Sequence, residues 1–412
     1  MAAKSMHSAV SLSFSSLVQE MAVEDAPCLN CLLAPIDLKD QSKGPTNREN
    51  SCGLLPSLVL PRGGFESNWF IAIDGPVVIN NAPELFSASF SKRYLLTKGL
   101  ENRIILSLDV VFTIHLSQSR NFLPDMSGTR VHTINVNGVE IFYREAGKAN
   151  APVVLLLHGF PSSSFQYRNL ITKLEGKYRV IAPDLPGFGF TKVPDALKYM
   201  YTFDNIAKTI EAFVDVLNLK KYAIYIFDYG APTGLRLALS RPSAITAIIS
   251  QNGNAFEVGL GEFWNGIRKY WNDPTPDNRK SLVWLTKFEA TKFQYEAGEA
   301  HPETIPPETY HLDQALMDRP GNADIQLDLQ LDYQTNVALY PAFHDYFRKY
   351  QPPLLAIWGA NDGIFIPAGA EAFKTVLPNA QIHFVDGGHF ALENHLDEIS
   401  SHIIRFLESI GV

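Results

Sequence analysis

The chain has 412 residues but only three cysteines, too few for the disulfide framework that stabilises secreted domains. Cys28 and Cys31 form a C-x-x-C pair with Cys52 downstream, but no fourth ligand follows at zinc-finger spacing and no βαβ pattern suggests a redox motif. We therefore predict no metal site there. The formal net charge is −8, and no cluster of Lys or Arg occurs, which argues against nucleic acid or an anionic membrane surface as a partner.

Long apolar runs are also missing. None reaches the roughly 18 residues that a membrane-spanning helix needs. The N-terminal segment is rich in Ser, yet its apolar stretch is too interrupted for a secretory signal and it lacks the Arg residues of a transit peptide. We expect a cytoplasmic protein. With 46% hydrophobic residues the chain can bury a large core, and a small molecule is the class of partner that remains.

The sequence pattern changes near residue 127. Residues 1–126 include "DLKDQSKGPTNRENSCG", which is typical of disorder, and two apolar runs, "WFIAIDGPVVI" and "IILSLDVVFTIHL", which predict strands. We expect this extension to be poorly ordered and assign it no function. Residues 127–412 begin with a predicted hairpin, "RVHTINVNGVEIFYREAG", after which strands alternate with helices. That alternation predicts an α/β domain with a mostly parallel, doubly wound sheet.

The strands of this second part are short apolar runs: "VVLLLH", "YRVIAPD", "YAIYIFD", "ITAIISQ", "PLLAIWG" and "QIHFVDG". Between about 253 and 350 the alternation stops, and the pattern becomes irregularly helical and rich in Trp and Tyr. This predicts a helical cap inserted after one of the later strands. Ligands of open α/β sheets bind outside the carboxyl ends of the strands, so the cap would cover the ligand crevice.

The stretch "IFDYGAPTG" places Asp228 between a predicted buried strand and a predicted helix. A side chain on such a sharp turn is exposed to a ligand at the edge of the sheet, where a nucleophile would stand. Gly230 and Ala231 supply the small neighbours that the turn needs, although Ile226 is larger than usual. No G-x-S-x-G occurs in the chain, so a serine nucleophile is not evident. An Asp here is also a favoured helix N-cap.

Other predicted strand ends carry groups that would complete a catalytic set. In "LLLHGFP", the backbone N–H of Phe160 can join that of Tyr229 in a two-donor oxyanion hole. Asp362 follows the strand after the cap, and His389 follows the last strand. Each alone could be a turn or core residue. Together with Asp228 they give the chain order nucleophile, acid, base.

From about Arg130 to Leu407 the sequence resembles the α/β-hydrolase fold, in particular the epoxide hydrolases and haloalkane dehalogenases, whose nucleophile is Asp. The motifs that carry the resemblance are "HGFP", "APDLPGFGFT", "FDYG" and "GGHF". It implies that Asp228 attacks a saturated carbon and forms an alkyl ester. His389 would then activate a water, and Asp362 would orient and stabilise its imidazolium. No metal or cofactor is implied.

The leaving group is less clear from the motifs. Haloalkane dehalogenases typically place Trp after the nucleophile, where this chain has Tyr229, and often Asn or Trp after the H-G, where it has Phe160. Fluoroacetate dehalogenases place an Arg after the nucleophile. Epoxide hydrolases donate a proton from two cap tyrosines, and Tyr270 and Tyr333 match those positions best. We therefore expect an epoxide hydrolase acting on an apolar small molecule. A haloalkane dehalogenase-like hydrolase and a non-catalytic ligand-binding protein remain the alternatives.

Overall fold

The computed structural model describes residues 69–77, 87–98, 104–115 and 128–412, and the chain divides into two compact units after Gln118. The first unit contains three antiparallel strands in the order β1-β2-β3: β1 (Trp69–Val77), β2 (Ser87–Lys98) and β3 (Ile104–His115). The sequence predicted β1 and β3. It did not identify β2, whose apolar pattern is interrupted by two adjacent basic residues. The C-x-x-C pair and the segment expected to be disordered lie outside the described residues.

The second unit is built on an eight-stranded sheet in the order β11-β10-β9-β8-β6-β7-β5-β4. Strand β5 pairs antiparallel with β4 and β7, and all other neighbouring strands are parallel. Asn137 and Gly138 form the β4–β5 turn at φ of 51° and 93°. The strands are β4 (Arg130–Val136), β5 (Val139–Ala146), β6 (Val153–Leu157), β7 (Arg179–Pro183), β8 (Tyr222–Ile226), β9 (Ile245–Gln251), β10 (Leu354–Gly359) and β11 (Gln381–Val385).

Helices cover both faces of this sheet, as the sequence predicted. Leu155 and Leu157 of β6 belong to one hydrophobic core with helices α2 and α3, and Val154 and Leu156 belong to a second core with α1 and α11. Both faces of β6 are buried, which explains why its sequence is a continuous apolar run. The helices are α1 (Arg168–Leu174), α2 (Phe203–Val216), α3 (Gly230–Ser240), α10 (Ala368–Ala372) and α11 (Leu396–Ser409).

Six further helices form the cap between β9 and β10, so the predicted insertion after a late strand is confirmed. Its side chains reach the carboxyl ends of the strands: the ring of Trp264 lies 5.2 Å from that of Phe365, which follows β10. Within the described residues, no helix is both long and apolar enough to span a membrane. The cap helices are α4 (Asn265–Asn272), α5 (Pro276–Lys280), α6 (Phe288–Glu296), α7 (Glu308–Met317), α8 (Asn322–Asp332) and α9 (Gln334–Tyr350).

Candidate active site

Asp228 lies in the turn between β8 and α3 with a left-handed φ of 46°. This conformation is unfavourable by about 1–2 kcal/mol for a residue other than glycine, so the surrounding packing must stabilise it. A Cβ at Gly230 would overlap the Leu157 carbonyl, and a Cβ at Gly234 would lie 2.6 Å from the Ile226 side chain. The turn is therefore tight, and Gly234 provides the space for the unusually large Ile226.

The Asp228 carboxylate is buried, with only 4% of the residue exposed. The backbone N–H of Phe160 donates to its Oδ1 over 2.6 Å. Burial raises the pKa of Asp228 to about 6, against the opposing effects of His389 and of the N–H groups of Phe160 and Tyr229. The two predicted oxyanion-hole donors thus both act on this carboxylate. The carboxylate is poorly solvated, and its pKa lies closer to neutral pH than that of an ordinary Asp.

His389 lies between the two predicted acidic partners. Its Nδ1 is 2.9 Å from Asp362 Oδ2, and its Nε2 is 3.8 Å from Asp228 Oδ2. Nε2 has no hydrogen-bond partner in the part of the chain that the structure describes. Burial lowers the pKa of His389, but the Asp362 and Asp228 carboxylates outweigh that effect and raise it. The network assigns the Nδ1 proton to the Asp362 contact, which leaves Nε2 facing Asp228.

Asp362 is fixed by four donors. Its Oδ1 accepts the N–H groups of Ile364 (2.7 Å) and Phe365 (3.1 Å), and its Oδ2 accepts Nδ2 of Asn252 (2.6 Å) as well as His389. Asn252 follows β9 and has a φ of 48°. Asn252 was not among the residues predicted for the site, although a polar residue at a strand end beside the cap was a signal that could have identified it.

On the cap side, Tyr333 is completely buried, and its hydroxyl lies within hydrogen-bonding reach of the Tyr340 hydroxyl. Its ring lies 5.8 Å from that of Tyr229 and 4.5 Å from that of Trp264. Burial raises the pKa of Tyr333 well above its ordinary value, and Tyr340 and Asp228 add to the effect. Tyr333 therefore belongs to the aromatic cluster next to Asp228 and keeps its proton at neutral pH.

The structure does not bring the Tyr270 hydroxyl to this cluster. That hydroxyl accepts a hydrogen bond from Nη1 of Arg279 over 3.2 Å, and Arg279 also pairs with Asp324 and Asp328 at the surface. The next residue, Trp271, stacks on Tyr333 instead, at 6.1 Å and 4°. Neighbouring side chains on a helix point roughly 100° apart, so only one of these two can face Tyr333. Of the two expected cap tyrosines, Tyr333 is therefore the one in the aromatic cluster next to Asp228.

The tryptophans around the cluster have their N–H groups occupied. Each indole Nε1 donates to a backbone carbonyl. Trp264 donates to Ile364 over 2.8 Å, Trp271 to Gln330 over 2.6 Å, and Trp358 to Phe365 over 2.7 Å. In residues 128–412 the remaining tryptophan is Trp284, which is half exposed. No indole N–H of this part of the chain is therefore both buried and free for an anion.

A mostly parallel sheet, a helical cap and polar side chains at successive strand ends define the α/β-hydrolase class. The family model described as the alpha/beta hydrolase fold matches residues 152–396, and the chain belongs to this family. The sequence-based assignment of the fold and of the epoxide hydrolase and haloalkane dehalogenase group is thereby confirmed by the family and the relatives below.

Three curated relatives show the range of the family. The chain is 48% identical over 280 residues to an uncharacterized hydrolase of Saccharomyces cerevisiae, covering 67% of this chain and 96% of that protein. It is 26% identical over 278 residues to a haloalkane dehalogenase of Psychrobacter cryohalolentis, covering 65% and 88%. It is 23% identical over 295 residues to epoxide hydrolase 3 of Mus musculus, covering 68% and 77%. The protein is thus a hydrolase of the α/β fold with relatives in both groups.

Proposed function

We propose that this hydrolase opens epoxides of apolar small molecules through an alkyl ester on Asp228, without a cofactor. The observation that carries the choice of substrate is the hydroxyl of Tyr333, which is buried, protonated and part of the aromatic cluster next to Asp228. An epoxide oxygen that becomes an alkoxide needs such a proton donor. A departing halide needs N–H donors instead, and the indole groups beside the site are already occupied.

In the first step the Asp228 carboxylate attacks an epoxide carbon and breaks its C–O bond. The Phe160 N–H holds Oδ1, so Oδ2 is the oxygen available for attack. Poor solvation makes a carboxylate a competent nucleophile. The Tyr333 hydroxyl transfers its proton to the ring oxygen as the C–O bond breaks, which gives a hydroxyalkyl ester and a phenolate. A serine would form an ether that could not turn over, whereas the Asp ester can be hydrolysed.

In the second step a water attacks the ester carbonyl carbon. His389 takes the proton of the water through Nε2, and Asp362 stabilises the resulting imidazolium through Nδ1. The N–H groups of Phe160 and Tyr229 hold the oxyanion that develops on the former carboxylate oxygen. Collapse releases the diol, whose oxygen receives the His389 proton. The carboxylic acid left on Asp228 carries one oxygen from water and releases its proton to solvent, and Tyr333 regains a proton from solvent.

The side chains around Asp228 fit an apolar substrate. The rings of Phe160, Phe203 and Tyr333 all lie within 5.8 Å of the Tyr229 ring. Such aromatic walls favour an apolar carbon skeleton and leave the polar contacts to the reacting oxygen.

Two alternatives make different predictions. A haloalkane dehalogenase is favoured by the relatives of that name and would use the same ester, but with halide release. A ligand-binding protein of the same fold would form no ester.

Covalent labelling separates these functions. We expect His389→Gln treated with styrene oxide to gain the mass of one substrate on Asp228 and to keep it. The parent should return to its original mass and release diol, and Asp228→Asn should gain no mass. Halide release from 1,2-dibromoethane without any epoxide adduct would favour the dehalogenase. If neither compound forms an adduct, the result would favour a ligand-binding protein that forms no ester.

A further inference from the structure

A short cap segment after α6, Ala297–Gly298–Glu299, contacts both loops that carry the proposed base and its acid. A Cβ at Gly388 would overlap the Ala297 carbonyl, and a Cβ at Gly298 would lie 2.9 Å from the Gly388 Cα. Nδ2 of Asn361, the residue before Asp362, donates to the Gly298 carbonyl over 2.9 Å. The backbones approach this closely because both contact points are glycines.

The Glu299 carboxylate is directed entirely at the loop that carries His389. Its Oε1 accepts the N–H of Gly388, the residue before His389, over 2.8 Å. Its Oε2 accepts Nδ2 of Asn394 over 3.0 Å and lies 3.5 Å from Nε2 of His395. The Glu299 side chain is only 2% exposed. A carboxylate this buried is costly unless every partner is in place, so the contact demands one arrangement of cap and loop.

Two other contacts hold the same loop on either side. The Phe390 ring, next to His389, stacks on Tyr295 of the cap at 3.9 Å and 17°. On the core side, Arg168 makes a bidentate contact with Glu393 over 3.0 and 2.8 Å. The loop is therefore clamped between cap and core, and the cap residues Glu299 and Tyr295 contact the residues on either side of His389.

We propose that Glu299 is a positioning residue for His389, through which the docked cap holds the imidazole between Asp362 and Asp228. The kinetic consequence rests on the proposed function and falls on one step. Asp228 and the N–H groups of Phe160 and Tyr229 belong to the loops after β6 and β8, which Glu299 does not touch. Ester formation should therefore survive the loss of Glu299, while ester hydrolysis should not.

The first test needs no substrate. In the full chain, the imidazole signal of His389 is followed by NMR as a function of pH and assigned by its loss in His389→Gln. Glu299→Gln places an amide donor against Asn394 and His395 and should loosen the contact of His389 with Asp362. Because that contact raises the pKa of His389, we expect the titration to move to lower pH. Asn394→Ala, at a partly buried position, should move it less in the same direction.

The matched control is Glu296→Gln, three residues earlier. Glu296 is more exposed and, within the described residues, its side chain pairs only with Lys292, over 3.5 Å, so its loss should leave the His389 titration unchanged. An unchanged titration in a folded Glu299→Gln protein, or an equal shift in the control, would overturn the proposal. If Glu299→Gln fails to fold, Asn394→Ala decides by the same criterion.

The second test measures the two chemical steps with styrene oxide in single turnover. Glu299→Gln should form the Asp228 ester at the parent rate and hydrolyse it up to about 10²-fold more slowly, as expected for a displaced catalytic group. Equal slowing of both steps would instead indicate general damage and contradict the proposal. If the parent forms no ester, the proposed function fails, while the NMR titration still decides the role of Glu299.

Discussion

Asn252 Nδ2 and His389 Nδ1 both contact the same oxygen, Oδ2 of Asp362, at 2.6 and 2.9 Å. Asn252 Oδ1 in turn accepts the N–H of Gly359 over 3.2 Å. The amide therefore connects the end of β9 with the end of β10, and it shares with His389 the stabilisation of one buried carboxylate oxygen. Removing its donor should affect both stability and the orientation of the acid.

Asn252→Asp tests this contact, because Asp has the same shape and also tolerates a left-handed φ. It replaces the donor with a second carboxylate, so we expect the free energy of unfolding at neutral pH to fall by on the order of 2–3 kcal/mol. The penalty should shrink as the pH is lowered and one of the two carboxylates takes up a proton. Urea unfolding at several pH values measures it.

The control for that substitution is Asn137→Asp in the β4–β5 turn. Asn137 has nearly the same φ, 51°, but its side chain is exposed. We expect a change within about 0.5 kcal/mol there. An unchanged free energy of unfolding in Asn252→Asp, or an equal loss of stability in Asn137→Asp, would contradict the shared-oxygen contact.

The raised pKa of Asp228 predicts that its charge destabilises the fold. The pKa is about 6 in the folded protein, above its ordinary value near 3.8. The folded state therefore binds the proton more tightly, so this group favours folding below its unfolded pKa and loses that contribution as the pH rises through about 6. Asp228→Asn should be more stable than the parent at pH 8, by on the order of 2–3 kcal/mol.

That advantage should disappear near pH 4, where Asp228 is neutral in the parent as well. Urea unfolding of both proteins at acidic, intermediate and alkaline pH measures the difference. A stability difference that does not depend on pH would rule out this electrostatic origin. Alkylation of the parent should also decline as the pH falls through about 6, because the attacking group must be ionised.

The sequence was informative where function depends on strand ends. Asp228, Asp362 and His389 each follow a short apolar run, and a parallel sheet collects the ends of its strands at one edge whatever the details of packing. The structure brings these three side chains together on that edge. Their roles stay with the proposed function and its tests.

The cap was harder to predict, because several of its helices bury polar side chains such as Gln294, Asp313 and Gln326 and so show no clear apolar face. The choice between Tyr270 and Tyr333 depends on how each helix is rotated, which the residue pattern leaves open. Glu299 could not be found from the sequence at all. Its partners Gly388, Asn394 and His395 lie about ninety residues further along the chain, and only the docking of cap on core creates the contact.

Truncation tests the independence of the second unit. We predict that a fragment starting at Met126 folds and keeps the turnover of the full chain, because a single capped α/β domain has about this length. The yeast relative supports this expectation, because a match of 280 residues, 67% of this chain, already covers 96% of that protein. A start at Val139 is the control: it removes β4, which pairs with β5, and should yield poorly soluble protein. Loss of soluble, active protein on truncation to Met126 would show that the extension belongs to the folding unit.

The choice of leaving group depends on the phenol of Tyr333. An alkoxide is too basic to leave unprotonated, whereas a halide leaves as a stable anion. Tyr333→Phe should therefore slow alkylation of Asp228 by styrene oxide by roughly the 10²–10⁴-fold typical of general acid catalysis. Alkylation by 1,2-dibromoethane, if it occurs, should be little changed, and ester hydrolysis through His389 should continue. Intact-mass measurements in single turnover follow both steps.

Tyr270→Phe is the matched control, because it removes a buried hydroxyl from the same cap. It should cost about 1 kcal/mol of stability through the lost hydrogen bond with Arg279 and leave alkylation near the parent rate. If Tyr270→Phe slows alkylation as much as Tyr333→Phe does, two cap tyrosines donate the proton, as the family resemblance first implied. If Tyr333→Phe alkylates with styrene oxide at the parent rate, Tyr333 is not the acid. The occupied indole groups would then be the only argument against a dehalogenase, and halide release from haloalkanes would decide the function.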